Sequence, residues 1–169
     1  MHRLAVPSLA ALAIVSAAGP VAADPLWQAE VRAGYGIAAG GSGAAMSTRP
    51  SPVTLAAIAT LAFDDEPPLS GYGGLLVEAL DRNSVGSVFG VTLAPRASRI
   101  RLSAGGAWIV APYTLLGATA SGGACVHVAS RIRVCGDLQL TAYFAGSDLA
   151  EGHTVTQVQL VAGMVLDGP

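Results

Sequence analysis

The stretch Val53-Thr54-Leu55-Ala56-Ala57-Ile58-Ala59-Thr60-Leu61-Ala62-Phe63 decides the fold. Successive side chains of an extended strand point to opposite faces. Val53, Leu55, Ala57, Ala59, Leu61 and Phe63 therefore share one side, and Thr54, Ala56, Ile58, Thr60 and Ala62 share the other. The same period of two returns in about eight segments between Glu30 and Leu166. One face of each is apolar; the other is mostly small residues with a few charges. This is the pattern of strands, not of helices.

Composition narrows what such strands can build. Charged residues make up 12% of the chain, half the roughly 25% of soluble domains, and lysine is absent. Residues 1–23 read as an export signal. Met1-His2-Arg3 is a short basic start, Leu4–Ala18 is apolar, and Val21-Ala22-Ala23 offers small residues for cleavage before Asp24. The apolar run is shorter than the roughly 20 residues of a spanning helix. Residues 24–169 then form one domain of 146 residues, with eight arginines against eleven acids and a net charge of −3. That balance gives nucleic acid no basic surface to bind. No stretch of the domain is apolar enough for a spanning helix. A chain this poor in charge has one membrane solution left, a sheet that closes its hydrogen bonds between strands and leaves no edge.

Eight strands are predicted: Ala29–Ile37, Val53–Phe63, Gly71–Asp81, Val85–Ala94, Arg99–Val110, Thr114–Val128, Ile132–Ala145 and Thr154–Leu166. The joints carry turn chemistry, including Gly40-Gly41-Ser42-Gly43, Pro50-Ser51-Pro52, Asp64-Asp65-Glu66-Pro67-Pro68 and Ser130-Arg131. Proline keeps to joints and strand ends, where no ladder hydrogen bond is lost. Ala38–Pro52 is expected to be a projecting connector. Alternation alone leaves two architectures open. A soluble exported barrel or sandwich would turn the apolar face inward around an apolar ligand; a membrane barrel turns it to lipid. The opposite face is rich in Gly, Ala, Ser and Thr, which suits a crowded lumen, and the shortage of charge argues against a wet exterior. The expected fold is all-β, an eight-stranded antiparallel up-and-down transmembrane barrel.

The export signal, a domain of this size and the eight alternating segments resemble the small OmpA/OmpX-type outer-membrane barrels. The resemblance covers nearly the whole domain and rests on pattern rather than on a motif. It implies location in the bacterial outer membrane, both ends of the barrel chain on the periplasmic side, and lipid as the partner of a monomeric barrel. One departure is the ending Val165-Leu166-Asp167-Gly168-Pro169, with Leu166 where such chains carry a terminal aromatic residue.

On this topology Tyr35, Phe89, Trp108 and Phe144 fall toward the outer ends of their strands and Phe63 at an inner end, as an aromatic girdle would. Glu30, Arg32, Arg101, His127, Arg133 and Asp137 fall on inward faces in the periplasmic half. Closure makes the fifth to eighth and first strands consecutive, so these groups are expected to meet as a polar network plugging the lumen. Cys125 and Cys135, the only cysteines, flank Ser130-Arg131 symmetrically and point inward; an oxidising compartment favours a cross-strand disulfide. No catalytic set is recognised. His127 lacks an acid at useful spacing, His153 falls in a connector, and Gly71-Tyr72-Gly73-Gly74 lies in a strand without the strand–turn–helix setting of a phosphate loop. No metal or cofactor is expected, and the role is non-enzymatic, structural or carried by the connectors.

Overall fold

A computed structural model describes residues 27–42, 45–63, 69–80, 83–94 and 99–168; the expected signal segment lies outside them. Nine strand segments run antiparallel: β1 (Trp27–Ser42), β2 (Ala45–Pro50), β3 (Val53–Ala62), β4 (Leu69–Ala79), β5 (Ser84–Leu93), β6 (Ile100–Ala111), β7 (Leu115–Ala129), β8 (Ile132–Gly146) and β9 (Thr154–Asp167). From β3 onward each pairs with the next, and β1 pairs with both β3 and β9, which closes the sheet.

β2 and β3 are two halves of one wall strand. Between the pairs Gly34↔Thr54 and Ile37↔Pro50, residues 51–53 oppose residues 35 and 36. Three residues against two is a β-bulge. The wall thus has eight strands, as expected, with its second strand bulged. The first strand differs from expectation. It does not stop at Ile37 but continues to Ser42, paired with β9 as far as Gly41↔Thr154 and with β2 as far as Ser42↔Ala45. The predicted connector Ala38–Pro52 is therefore mostly a hairpin. Glycine composition argued for a loop, but partners on both sides supply the ladder bonds that hold Gly40 and Gly41 in the sheet, Gly41 at a φ of 146° that favours glycine.

The ladder also fixes the barrel's shape. A path from Glu30 through Ile58, Gly74, Val88, Ala107, Gly117, Tyr143 and Val155 returns to β1 at Gly40, ten residues further on. A stagger of this order accompanies strands tilted by about 35–45°. So small a cylinder brings inward positions very close, and glycine answers this where Gly90 faces Gly105 across β5 and β6. A Cβ on either would lie 2.8 Å from the Tyr72 hydroxyl oxygen.

The polarity is that of a barrel turned inside out. Outward side chains are large, apolar and open: Val31 is 62% exposed, Leu75 70% and Leu160 73%. Inward ones are closed off: Glu78, Asp137, Gln157 and Gln159 are all buried. Among the described residues, no outward position of β1 or β3–β9 carries a charge. An apolar layer, with Ala56, Ile58, Leu76, Val88, Ala107 and Ile109, fills one side of the mid-lumen. The faces assigned from the sequence hold along the wall strands, on β7 as far as Cys125.

Candidate functional site: the lumen

The near end of the barrel carries Trp27 and Asp167; the far end carries the β1–β2, β4–β5, β6–β7 and β8–β9 connections. Polar side chains gather at both ends of the lumen.

In the near half, β6 brings Arg101 between carboxylates from β1 and β8. Its Nε donates to Asp137 Oδ1 at 2.9 Å and its Nη2 to Asp137 Oδ2. Nη1 and Nη2 donate to Glu30 Oε2 and Oε1 at 3.0 and 2.7 Å. Arg32 Nη2 adds a bond to Glu30 Oε2 at 2.8 Å. Two guanidiniums thus balance two carboxylates, and every carboxylate oxygen is used. Charges this deeply buried persist only when paired and hydrogen-bonded in this way. Glycines make the room. A Cβ on Gly163 would lie 2.6 Å from Glu30 Oε1, and one on Gly123 would run into Asp137. Arg32 Nε is buried without a partner.

Four of the six residues predicted for this network, Glu30, Arg32, Arg101 and Asp137, are therefore in contact. Arg133 is not part of it. Its Nε donates to Asp167 Oδ2 at 2.8 Å and its Nη2 to Oδ1, a separate fork at the near rim. His127 is a correction: its side chain is 66% exposed, with Nε2 4.0 Å from Asp167 Oδ2. The alternation that sent it inward is kept up to Cys125, but β7 runs past the rim, with a register shift between His127 and Ala129, and an inward direction there no longer means enclosure.

The far cluster was missed from the sequence. Glu78, 2% exposed, accepts from Ser84 Oγ at 3.0 Å, Tyr143 Oη at 3.4 Å and Gln157 Nε2 at 3.3 Å. These partners stand on β5, β8 and β9, up to 79 residues away. The one available signal was that Glu78 is a lone charge at an inward position of its strand. Gln159 on β9 ties the bulge by reaching over β1 on the lumen side. Its Nε2 donates to Ser51 Oγ and to the Pro52 carbonyl, both at 3.0 Å, and its Oε1 accepts from Thr54 at 3.2 Å. Ser51 Oγ also accepts from the Gly36 amide at 2.9 Å, satisfying a donor that the bulge removes from the ladder. A cavity of about 50 Å³ remains at the far mouth beside Glu78, Tyr143 and Gln157.

Cys125 and Cys135 are register partners and are disulfide-bonded, inward and against Val165. The five predicted girdle aromatics, Tyr35, Phe63, Phe89, Trp108 and Phe144, all point outward and are about half exposed or more. Phe89, however, lies at mid-strand rather than toward a rim, its ring over Gly106, while Phe63 covers Gly71. Trp27, missed from the sequence, joins Phe63 at the near end and covers Gly168.

No family model matches this chain, and no curated protein does. Among solved structures it is similar to the crystal structure of Neisserial surface protein A, with a TM-score of 0.50 over 83% of this chain and 96% of that one, at 12% identity. At that identity the likeness is one of fold, and the fold is a closed eight-stranded antiparallel barrel with the polarity of small outer-membrane barrels.

Proposed function

We propose that this chain is an exported, monomeric integral protein of the bacterial outer membrane, of the OmpA/OmpX type. Its lumen is closed, its partner is membrane lipid, and its role is non-enzymatic, structural or carried by its connectors. Residues 1–23 serve as the removable export signal, and residues 24–169 as the barrel domain.

The observation that carries this reading is the inverted polarity. A wall with open leucines and valines outside and ion pairs inside is costly in water and at home in hydrocarbon. A soluble barrel that binds an apolar ligand in its core needs the opposite arrangement. Dimensions agree. From Phe63 to Val53 the chain climbs ten residues of about 3.3 Å each, which at a tilt of roughly 40° is a rise of about 25 Å, the height of an outer-membrane apolar band. β2 sits above that band. Its free edge can bond to water there, as an edge in lipid cannot. The near cluster leaves no free carboxylate oxygen, as a plug requires.

Cell fractionation tests the location. The chain is expected in the outer-membrane fraction, extracted only by detergent, starting at Asp24 by intact mass, and changing gel mobility on boiling. Recovery in a detergent-free periplasmic extract would refute it. For the lumen, planar bilayers should record no stable conductance; reproducible steps altered by Asp137→Asn would show that the charges line a path.

A further inference from the structure

The wall has one seam that no turn joins. Connections β3–β4, β5–β6 and β7–β8 tie neighbouring strands together at the near end, and β1–β2, β4–β5, β6–β7 and β8–β9 do so at the far end. β1 and β9 pair directly although more than a hundred residues separate them. Their meeting bears the loop-closure entropy of the whole barrel. Strand ends without a covalent joint are also where a sheet opens first. The vulnerable place is the near end of this seam, where β1 begins at Trp27 and β9 finishes at Asp167.

Contacts accumulate at that place. The Gly168 amide donates to the Trp27 carbonyl at 2.9 Å, one step past the last register pair, Gln28↔Asp167. On the outward face the Trp27 indole lies over Gly168, where a Cβ would stand 2.5 Å from Nε1. A ring laid across an edge glycine covers backbone that would otherwise be open and pins the register of the pair. The residue before it grips the other neighbour. The Asp167 amide donates to the Arg131 carbonyl at 2.9 Å, and its carboxylate accepts from Nε and Nη2 of Arg133. Two consecutive residues thus tie the end of β9 to β1 on the lipid-side face and to β8 on the lumen side. We propose that Trp27, Asp167 and Gly168 form a clasp, a conformational device that keeps the seam shut at the near rim. With the clasp in place β1 and β9 stay paired to their ends. Without it they part from the near end inward, while the strands joined by turns stay paired. The clasp depends on contacts within the chain and not on the membrane reading above.

Amide hydrogen exchange of the full chain in detergent micelles, read by mass spectrometry, tests this. Trp27→Ala removes the ring, and Gly168→Val fills its seat from the other strand. Each should raise exchange in segments 28–32 and 163–167 about tenfold, the share of one lost aromatic contact. Exchange in β4–β6 should not change, and that reference also reports that each variant has folded. Trp27→Phe, which keeps a ring over the glycine, should stay close to the parent. Because both substitutions break the same contact, Trp27→Ala with Gly168→Val should be no worse than the worse single variant. Two variants from opposite strands guard against one of them failing to fold. Unchanged exchange along the seam, an equal rise in β4–β6, or additive effects in the double variant would each overturn the clasp.

Discussion

At the scale of single residues, the lumen turns on Arg101. It holds Glu30 and Asp137 through four donor contacts, so its loss strands the buried Asp137 and leaves Glu30 with Arg32 alone. Removing one partner of a buried ion pair costs about 3–5 kcal/mol, whereas replacing the whole set with neutral groups of similar size is often neutral. Arg101→Ala should therefore destabilise the barrel by about that much in urea unfolding from lipid vesicles. Arg101→Met combined with Arg32→Met, Glu30→Gln and Asp137→Asn, which neutralises the whole set, should recover most of the loss. Recovery no better than the single variant would mean that Arg101 acts by packing. Gly163→Ala probes the same cluster from its floor. The new methyl would stand 2.6 Å from Glu30 Oε1, and Glu30 is held on two sides by Arg32 and Arg101. A cost of about 1–3 kcal/mol is expected, relieved when Glu30 is shortened to Asp; unchanged stability would show that the cluster shifts freely. The four cluster members were legible in the sequence, because a period of two gives each a face and closure brings their strands together. The glycines opposite them were not, since a missing side chain names no partner.

At the scale of elements, alternation located every wall strand, and it failed where the ladder changes phase. The bulge at Ser51–Val53 looked like a proline-rich joint, because Pro50 and Pro52 lack amide donors. Only the fold reveals that Ser51 Oγ and Gln159 substitute for the missing bonds, and Gln159 lies more than a hundred residues downstream. His127 misled for a related reason, since alternation continues past the point where the barrel ends. The Cys125–Cys135 pair was legible because it is local: five residues on either side of Ser130, the first residue of a tight turn, on one face. Locality also limits its worth. The bond spans ten residues, for which chain-entropy arguments give at most about 2–3 kcal/mol, and the hairpin already holds the two strands. Reduction is expected to lower unfolding stability by less than that and to leave gel mobility folded-like. A larger loss would place the bond in holding the near rim closed. Quantitative alkylation of both thiols in exported protein without reductant would contradict the bond itself.

At the scale of the whole molecule, stability depends on which solvent meets which face, and depth should be readable from substitutions along one strand. On β8, Leu138 lies near the middle, Phe144 close to the far end, and both point outward; Thr141 points into the lumen and is 2% exposed. In a bilayer, an outward arginine costs about 2–4 kcal/mol at the midplane and about 0–1 kcal/mol near an interface. Leu138→Arg should therefore fall in the upper range and Phe144→Arg in the lower, measured by reversible unfolding from vesicles. Thr141→Arg separates depth from crowding. Its side chain would enter a lumen already filled by Tyr143, Gln157 and Glu78, so it should impair folding in vesicles and in detergent micelles alike. The Leu138→Arg penalty should instead shrink in micelles, where water and headgroups reach the mid-wall. Equal penalties for Leu138→Arg and Phe144→Arg in vesicles would mean that no hydrocarbon slab surrounds this wall, and a gain in solubility without detergent for either would mean that the open leucines face water. A soluble sheet would pass neither half of the test, because its outward positions tolerate arginine at every height.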